Sequence, residues 1–151
     1  EDALLKRLRR AHGRVSLERI VSGPGLVTIY ETLARIEGRS MESRDDRAVW
    51  DLALSGRDDL ANTALNRFCM ALGSAASDFA RAHGPTAVVI GGGLGYRMRD
   101  RLPQSGFAQR FVAKGRFKSM MEAIPVKLIA YPEPGLYGAA AAFAREHARG
   151  T

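Results

Sequence analysis

Between Gly84 and Met98 the chain reads GPTAVVIGGGLGYRM: a turn, a β-branched run, then the triplet Gly91, Gly92, Gly93. Glycines that follow a strand let a phosphate or a ribose approach the main chain with no side chain between them. The triplet is not the dinucleotide fingerprint, because position 96, where that pattern needs a third glycine, is Tyr96. It is not a Walker loop either, since no Gly-Lys-Ser/Thr follows. On spacing alone it serves equally as a tight strand-to-helix turn or as a ligand turn. Its place at the carboxyl end of a strand, where open α/β sheets bind ligands, leans toward the second.

The other candidate is Glu18, in the segment VSLERIVSGPG. As an acid in the first turn of a short helix capped by Ser16, it complements the helix dipole, worth about 0.3–1 kcal/mol. A carboxylate there is also able to accept hydrogen bonds from the hydroxyls of a polar ligand such as a sugar. Spacing alone favours the dipole reading. Ser22 lacks the nucleophile-elbow pattern. His12, His83 and His147 stand far apart at expected helix ends, where the dipole favours them, so no metal site is expected. Cys69 falls on the apolar face of a long helix and reads as a buried, inert thiol.

These residues need elements to hold them. Leu4, Leu5 and Leu8 mark a first helix ending at Gly13. A short helix runs from the Ser16 cap to Ile20 or Val21, and Gly23-Pro24-Gly25 is expected to break the chain before a helix over Leu26 to Ile36. Gly38 to Arg44 reads as a polar loop, and Asp46 to Leu54 as a helix bearing Trp50. The clearest element is a helix from about Asp58 to His83, with an apolar stripe including Leu60, Leu65, Phe68, Leu72 and Phe79. Its thin middle, around Gly73, suits close approach by another backbone. Thr86 to Ile90 and Val126 to Ala130 read as buried strands with both faces covered. A short helix over Leu94 to Leu102, two helical pieces around Lys114-Gly115, a turn at Pro132 to Gly135 and a helix over Leu136 to Ala148 complete the pattern.

The order predicts an α/β fold, helix-rich, with two parallel strands joined by a right-handed crossover. Two strands make no stable, doubly covered sheet alone, and the sequence opens inside a helix without methionine. The expectation is a truncated domain whose remaining strands precede Glu1. The chain has 151 residues, 46% of them hydrophobic and 26% charged, as in an ordinary globular domain. No apolar stretch approaches the roughly 20 residues of a membrane span. One cysteine permits no internal disulfide, and a reducing cytoplasm is the expected setting. The net charge of +7 permits nucleic-acid binding, but aromatics do not interleave with the basic residues, even in the dense run Lys6 to Arg14. A solvated basic face, or one suited to an anionic ligand, is the reading adopted, without nucleic acid as a partner.

Three separated segments, VSLERIVSGPGLVTIYETL, FVAKGRFKSMMEAIPVKLI and PGLYGAAAAF, resemble the C-terminal half of bacterial glucokinases in order and spacing. The resemblance extends over nearly the whole chain. It implies the actin-like ATPase (ribonuclease H-like) fold of sugar kinases, with ATP and Mg²⁺ as cofactors and D-glucose as substrate. It implies that Glu18 binds glucose hydroxyls and that Gly91, Gly92 and Gly93 lie beside the adenosine of ATP. It further implies that residues 1–130 belong to the large C-terminal domain and that residues 131–151, with a helix over about Pro134 to His147, pack toward a small N-terminal domain. A homodimer follows from family habit. The family's Asp-Gly-Gly-Thr phosphate loop, its Asn-Asp pair with the general base, its Gly-Thr-Gly turn and its Gly-Glu-Gly-Gly-His segment have no match here. Asp45, Asp46 and Asp51 stand in no such context, so no catalytic residue is assigned. The alternative expectation is a non-catalytic, sugar-sensing or regulatory glucokinase-like domain, although no helix-turn-helix pattern appears.

Overall fold

The computed structural model describes residues 2–40 and 45–148. The end of the expected polar loop, residues 41–44, lies outside the described residues. Helices α1 (Asp2–His12), α2 (Leu17–Ile20), α3 (Gly23–Ile36), α4 (Asp46–Ser55) and α5 (Asp59–His83) precede strand β1 (Val88–Ile90). Then come α6 (Gly92–Arg97), α7 (Phe107–Val112), α8 (Lys118–Glu122), strand β2 (Val126–Leu128) and α9 (Pro134–Ala148). Short 3-10 turns occupy Leu102–Gln104 and Gly115–Phe117. The strands pair in parallel, Val88 opposite Val126 and Ile90 opposite Leu128, as the helix–strand order predicts.

The 25-residue α5 is the spine. Asp58 caps its start by accepting from Ala61 N–H at 2.7 Å, and Gly84 ends it in the left-handed region at φ 58°. Helices α3 and α4 pack on one side of it and α7 on another. Trp50 and Phe68 meet edge to face at 5.5 Å in the centre of the core. At the crossing with α7 the thin middle of α5 has its expected use. A Cβ on Gly73 would lie 2.5 Å from the Phe107 carbonyl oxygen, so only glycine admits that backbone.

Cys69 is fully buried, and burial pushes its thiol up from the ordinary value of 9.0, against weaker opposing effects of Ser105 and Arg101. It is the inert thiol that its place on the stripe implies.

Four expectations fail in instructive ways. Gly23-Pro24-Gly25 does not break the chain but forms the first turn of α3. Ser22 caps that turn, and proline near the first helical position gives up an N–H that has no intrahelical partner anyway. Phe79 belongs by spacing to the core stripe but is 59% exposed, because it lies on a face of α5 that no described element covers, while Ser77 and Ala80 on the same turns are buried. The strands are shorter than expected and not covered on both faces: Val89 is 57% and Val126 37% exposed. With only two strands among the described residues, one sheet face and both edges lack the cover that the apolar run was selected for. The helix expected over Leu94 to Leu102 instead spans Gly92–Arg97, and a 3-10 turn follows at Leu102.

Candidate functional site

Glu18 stands in a segment whose backbone is pinned at each end. Ser16 accepts from Arg19 N–H at 3.3 Å and so starts α2, as its type and position predict. Ser22 accepts from Gly25 N–H at 3.2 Å and starts α3, which gives this hydroxyl a structural task rather than a nucleophile's. Between the caps, α2 folds back on the first turn of α3. There a Cβ on Gly25 would fall against the Ile20 carbonyl and 3.0 Å from the Arg19 carbonyl oxygen, so the contact requires glycine. Trp50 adds a third anchor: its indole N–H donates to the Gly23 carbonyl at 2.9 Å, tying the α2–α3 corner to the core. Arg19 also reaches back to His12, Nη1 to Nδ1, at 3.3 Å.

On this braced corner Glu18 itself is exposed, and its carboxylate has no hydrogen-bond or ion-pair partner among the described residues. A carboxylate whose lone pairs are uncommitted is able to accept hydrogen bonds from a polyhydroxyl ligand.

The glycine turn is open at Gly92 and Gly93, whereas a Cβ on Gly91 would lie 3.2 Å from Ile129 Cδ1. Ile90 is held by accepting from Ile129 N–H at 2.8 Å, so the strand end is fixed before the turn begins. Gly91 is extended and starts α6 without a side-chain cap. Gly92 takes φ 85°, a conformation that side chains disfavour, and a Cβ there or on Gly93 would meet nothing within 4 Å. The main chain is therefore approachable from outside, as a nucleotide turn demands. Beyond it lies an open cleft of about 500 Å³, lined by Gly93, Leu54, Tyr96, Arg97, Arg99, Asp100 and Arg101.

The structure does not place Glu18 and the glycines in one enclosed pocket. Their chain neighbours Leu17 and Ile90 do line one apolar groove of about 390 Å³, together with Phe79, Val88 and Val89. The three histidines stay apart. His147 bonds the Phe143 carbonyl at 2.9 Å one turn back, and His83 ends α5. Among the described residues no three His, Cys, Asp or Glu side chains gather in a way that would hold a metal ion. No described helix is long and apolar enough to cross a membrane.

Sequence reasoning missed two parts of this region. The Gly25 contact was hidden because Gly-Pro-Gly reads as a breaker, and the Trp50 link because it joins residues 27 apart. The alternating arginines 97, 99 and 101 are visible in the sequence but enter there only as part of a basic face.

A family model described as Glucokinase matches residues 1–146. The chain is 58% identical over 147 residues to a glucokinase of Zymomonas mobilis, covering 97% of this chain and 45% of that protein. It is 44% identical over 142 residues to a glucokinase of Psychromonas ingrahamii, covering 93% of this chain and 44% of that one. Among solved structures, the crystal structure of glucokinase from an Antarctic psychrotroph superposes with a TM-score of 0.81 at 37% identity, over 95% of this chain and 45% of that one. The chain thus spans a little under half the length of the relatives it matches.

Proposed function

Because this chain belongs to the glucokinase family, we propose that it forms part of an ATP-dependent glucokinase, which transfers the terminal phosphoryl group of ATP to D-glucose and yields glucose 6-phosphate and ADP. The observation that carries the reading is the uncommitted carboxylate of Glu18 on a backbone corner capped at both ends, in the segment where the resemblance puts a glucose ligand. In this role Glu18 accepts hydrogen bonds from sugar hydroxyls and fixes the ring's orientation. The open turn at Gly91, Gly92 and Gly93 receives the adenosine side of the nucleotide. ATP brings the group to be transferred, and Mg²⁺ neutralises its charge as it moves. Among the described residues no three His, Cys, Asp or Glu side chains gather around an ion, and magnesium typically takes most of its ligands from phosphate and water, with one or two carboxylates.

Transfer to a neutral hydroxyl also needs a base, positioned within hydrogen-bond reach. None is assigned in this chain, and none of its acids stands in the expected context. The remainder of the site then belongs to the part of the relatives' length that this chain does not span. The uncovered apolar surfaces suit that reading. Leu136, Tyr137 and Phe143 on α9 are 69%, 66% and 62% exposed, which fits a terminal segment, residues 131–151, that packs toward a small N-terminal domain while residues 1–130 build the large one. The exposed Val89 and the unpaired edge of β1 fit a wider sheet. A homodimer working in the cytoplasm completes the proposal.

The test is glucose- and ATP-dependent ADP release. The intact protein, as its source cell makes it, is expected to release ADP only when both substrates are present. This 151-residue chain alone is expected to release none above background. Turnover by the chain alone would place the base among its own residues and overturn the division of labour.

A further inference from the structure

Helix α6 opens at the glycine turn and does not hold its own place. Three of its six residues, Gly92, Gly93 and Gly95, are the poorest helix formers after proline, and no side chain caps its start. Six residues are also too few for a helix to stand without tertiary support. The sheet holds the start: Ile90 accepts from Ile129 N–H, and a Cβ on Gly95 would lie 3.4 Å from Ile90 Cγ2 and 3.5 Å from Leu128 Cδ1. The far end is held from α5. Met98 is buried, and the Arg101 and Leu102 N–H groups both donate to its carbonyl, at 2.9 and 2.8 Å. Arg101 then donates from Nη2 to Asn62 Oδ1 at 2.8 Å, while Asn62 Nδ2 donates to the Gly56 carbonyl at 3.1 Å. One turn along α5, Asn66 Oδ1 accepts from the Gly106 N–H at 2.7 Å, where α7 starts. Asparagine is a poor helix former because its side chain competes for nearby backbone groups. Two asparagines at i and i+4 on α5 both reach instead to a segment 39 and 40 residues away. The spine thus straps down residues 101–106 at two points, one serving α6 and the other α7.

We propose that Asn62 is a positioning residue for the nucleotide side of the reaction: by holding Arg101 it fixes one end of α6, and through α6 the turn at Gly91, Gly92 and Gly93 at the other end. The inference rests on the glucokinase reading given above. Asn62 lines a separate small polar cleft of about 170 Å³ with Asn66, Gln104 and Ser105, so it acts through Arg101 rather than on the nucleotide. Asn66 is the internal contrast, since its bond fixes the start of α7.

The experiment combines steady-state kinetics and amide hydrogen exchange on the intact protein. Asn62→Ala is expected to raise KM for ATP about fivefold, with kcat and KM for glucose changed by less than about twofold. Without ligand, the Met98 and Leu102 amides are expected to exchange about tenfold faster, while amides in the middle of α5 keep their wild-type rates. Asn62→Asp keeps the acceptor for Arg101 and places an acid near the start of α5, where the dipole favours it, so KM for ATP is expected to stay within about twofold of wild type. In an Arg101→Met background, Asn62→Ala is expected to add nothing to KM, because the bond it removes is already gone. Asn66→Ala is expected to lower the denaturation midpoint while KM for ATP stays within about twofold. Circular dichroism checks each fold. Should Asn62→Ala not fold, Asn62→Ser, too short to reach Arg101, replaces it with the same expectations. Unchanged KM for ATP in the folded variant overturns the proposal, even with faster local exchange, because the strap is then structural only. An equal rise in Asn66→Ala, which marks general loosening, or in Asn62→Asp, which puts the effect on the Gly56 bond, overturns it too. Intact wild-type protein that releases no ADP with glucose and ATP present overturns the glucokinase reading itself, and this inference with it.

Discussion

Gly25→Ala is expected to lower stability by about 3 kcal/mol, at the upper end for overpacking a buried site. The added methyl would fall against the Ile20 carbonyl, and neither partner is the flexible end of a side chain. Both are backbone, one closing α2 and the other opening α3, so relief requires the two helices to part. The same displacement moves Glu18, two residues before Ile20. Positioning is lost steeply with distance, and glucose affinity in the intact protein is expected to fall about tenfold even in the molecules that remain folded. Urea denaturation followed by circular dichroism gives the first effect and calorimetry the second. A stability loss with unchanged glucose affinity would mean that the α2–α3 corner braces the fold without setting the sugar site.

Trp50→Ala is expected to cost more, about 4 kcal/mol. The side chain is 1% exposed and fills the space between α3, α4 and α5. Its removal opens a cavity, deprives Phe68 of its edge-to-face partner and leaves the Gly23 carbonyl without the indole donor. Trp50→Phe separates these contributions. It keeps an aromatic ring in the core and loses chiefly the hydrogen bond, for a cost of about 1 kcal/mol. If Phe proves as damaging as Ala, the hydrogen bond to Gly23 matters far more than the packing, contrary to the burial. Denaturant midpoints by circular dichroism distinguish the cases, since the chain's one tryptophan is lost in both variants.

The helices were legible because their signals are local. Ser16 announces the start of α2, and the three-and-four spacing along α5 needs no knowledge of its partners. The thin stretch around Gly73 forecast a close backbone crossing, although only the structure shows that Phe107 makes it. The failures concern surfaces whose cover is not among the described residues. Val89 and Phe79 carry apolar side chains suited to an interior that the described residues do not close. Gly-Pro-Gly was misread because the same residues that break a helix also start one, and the difference lies in Ser22 immediately before them. Glu18 was found by resemblance rather than by pattern. Nothing in its spacing separates a dipole-stabilising acid from a ligand-binding one, and its freedom from partners among the described residues is compatible with both.

The central claim is that Glu18 holds the sugar, and the measurement that tests it most directly is glucose binding by the intact protein carrying Glu18→Gln. The substitution keeps shape and one acceptor but removes the charge. Because Glu18 is exposed and has no partner among the described residues, thermal stability is expected to stay within about 0.5 kcal/mol of wild type. The glucose dissociation constant is expected to rise about thirtyfold, the loss of roughly 2 kcal/mol of charge-assisted hydrogen bonding. A glucose dissociation constant equal to wild type in a folded variant would contradict the account and return Glu18 to its role as a first-turn acid complementing the α2 dipole.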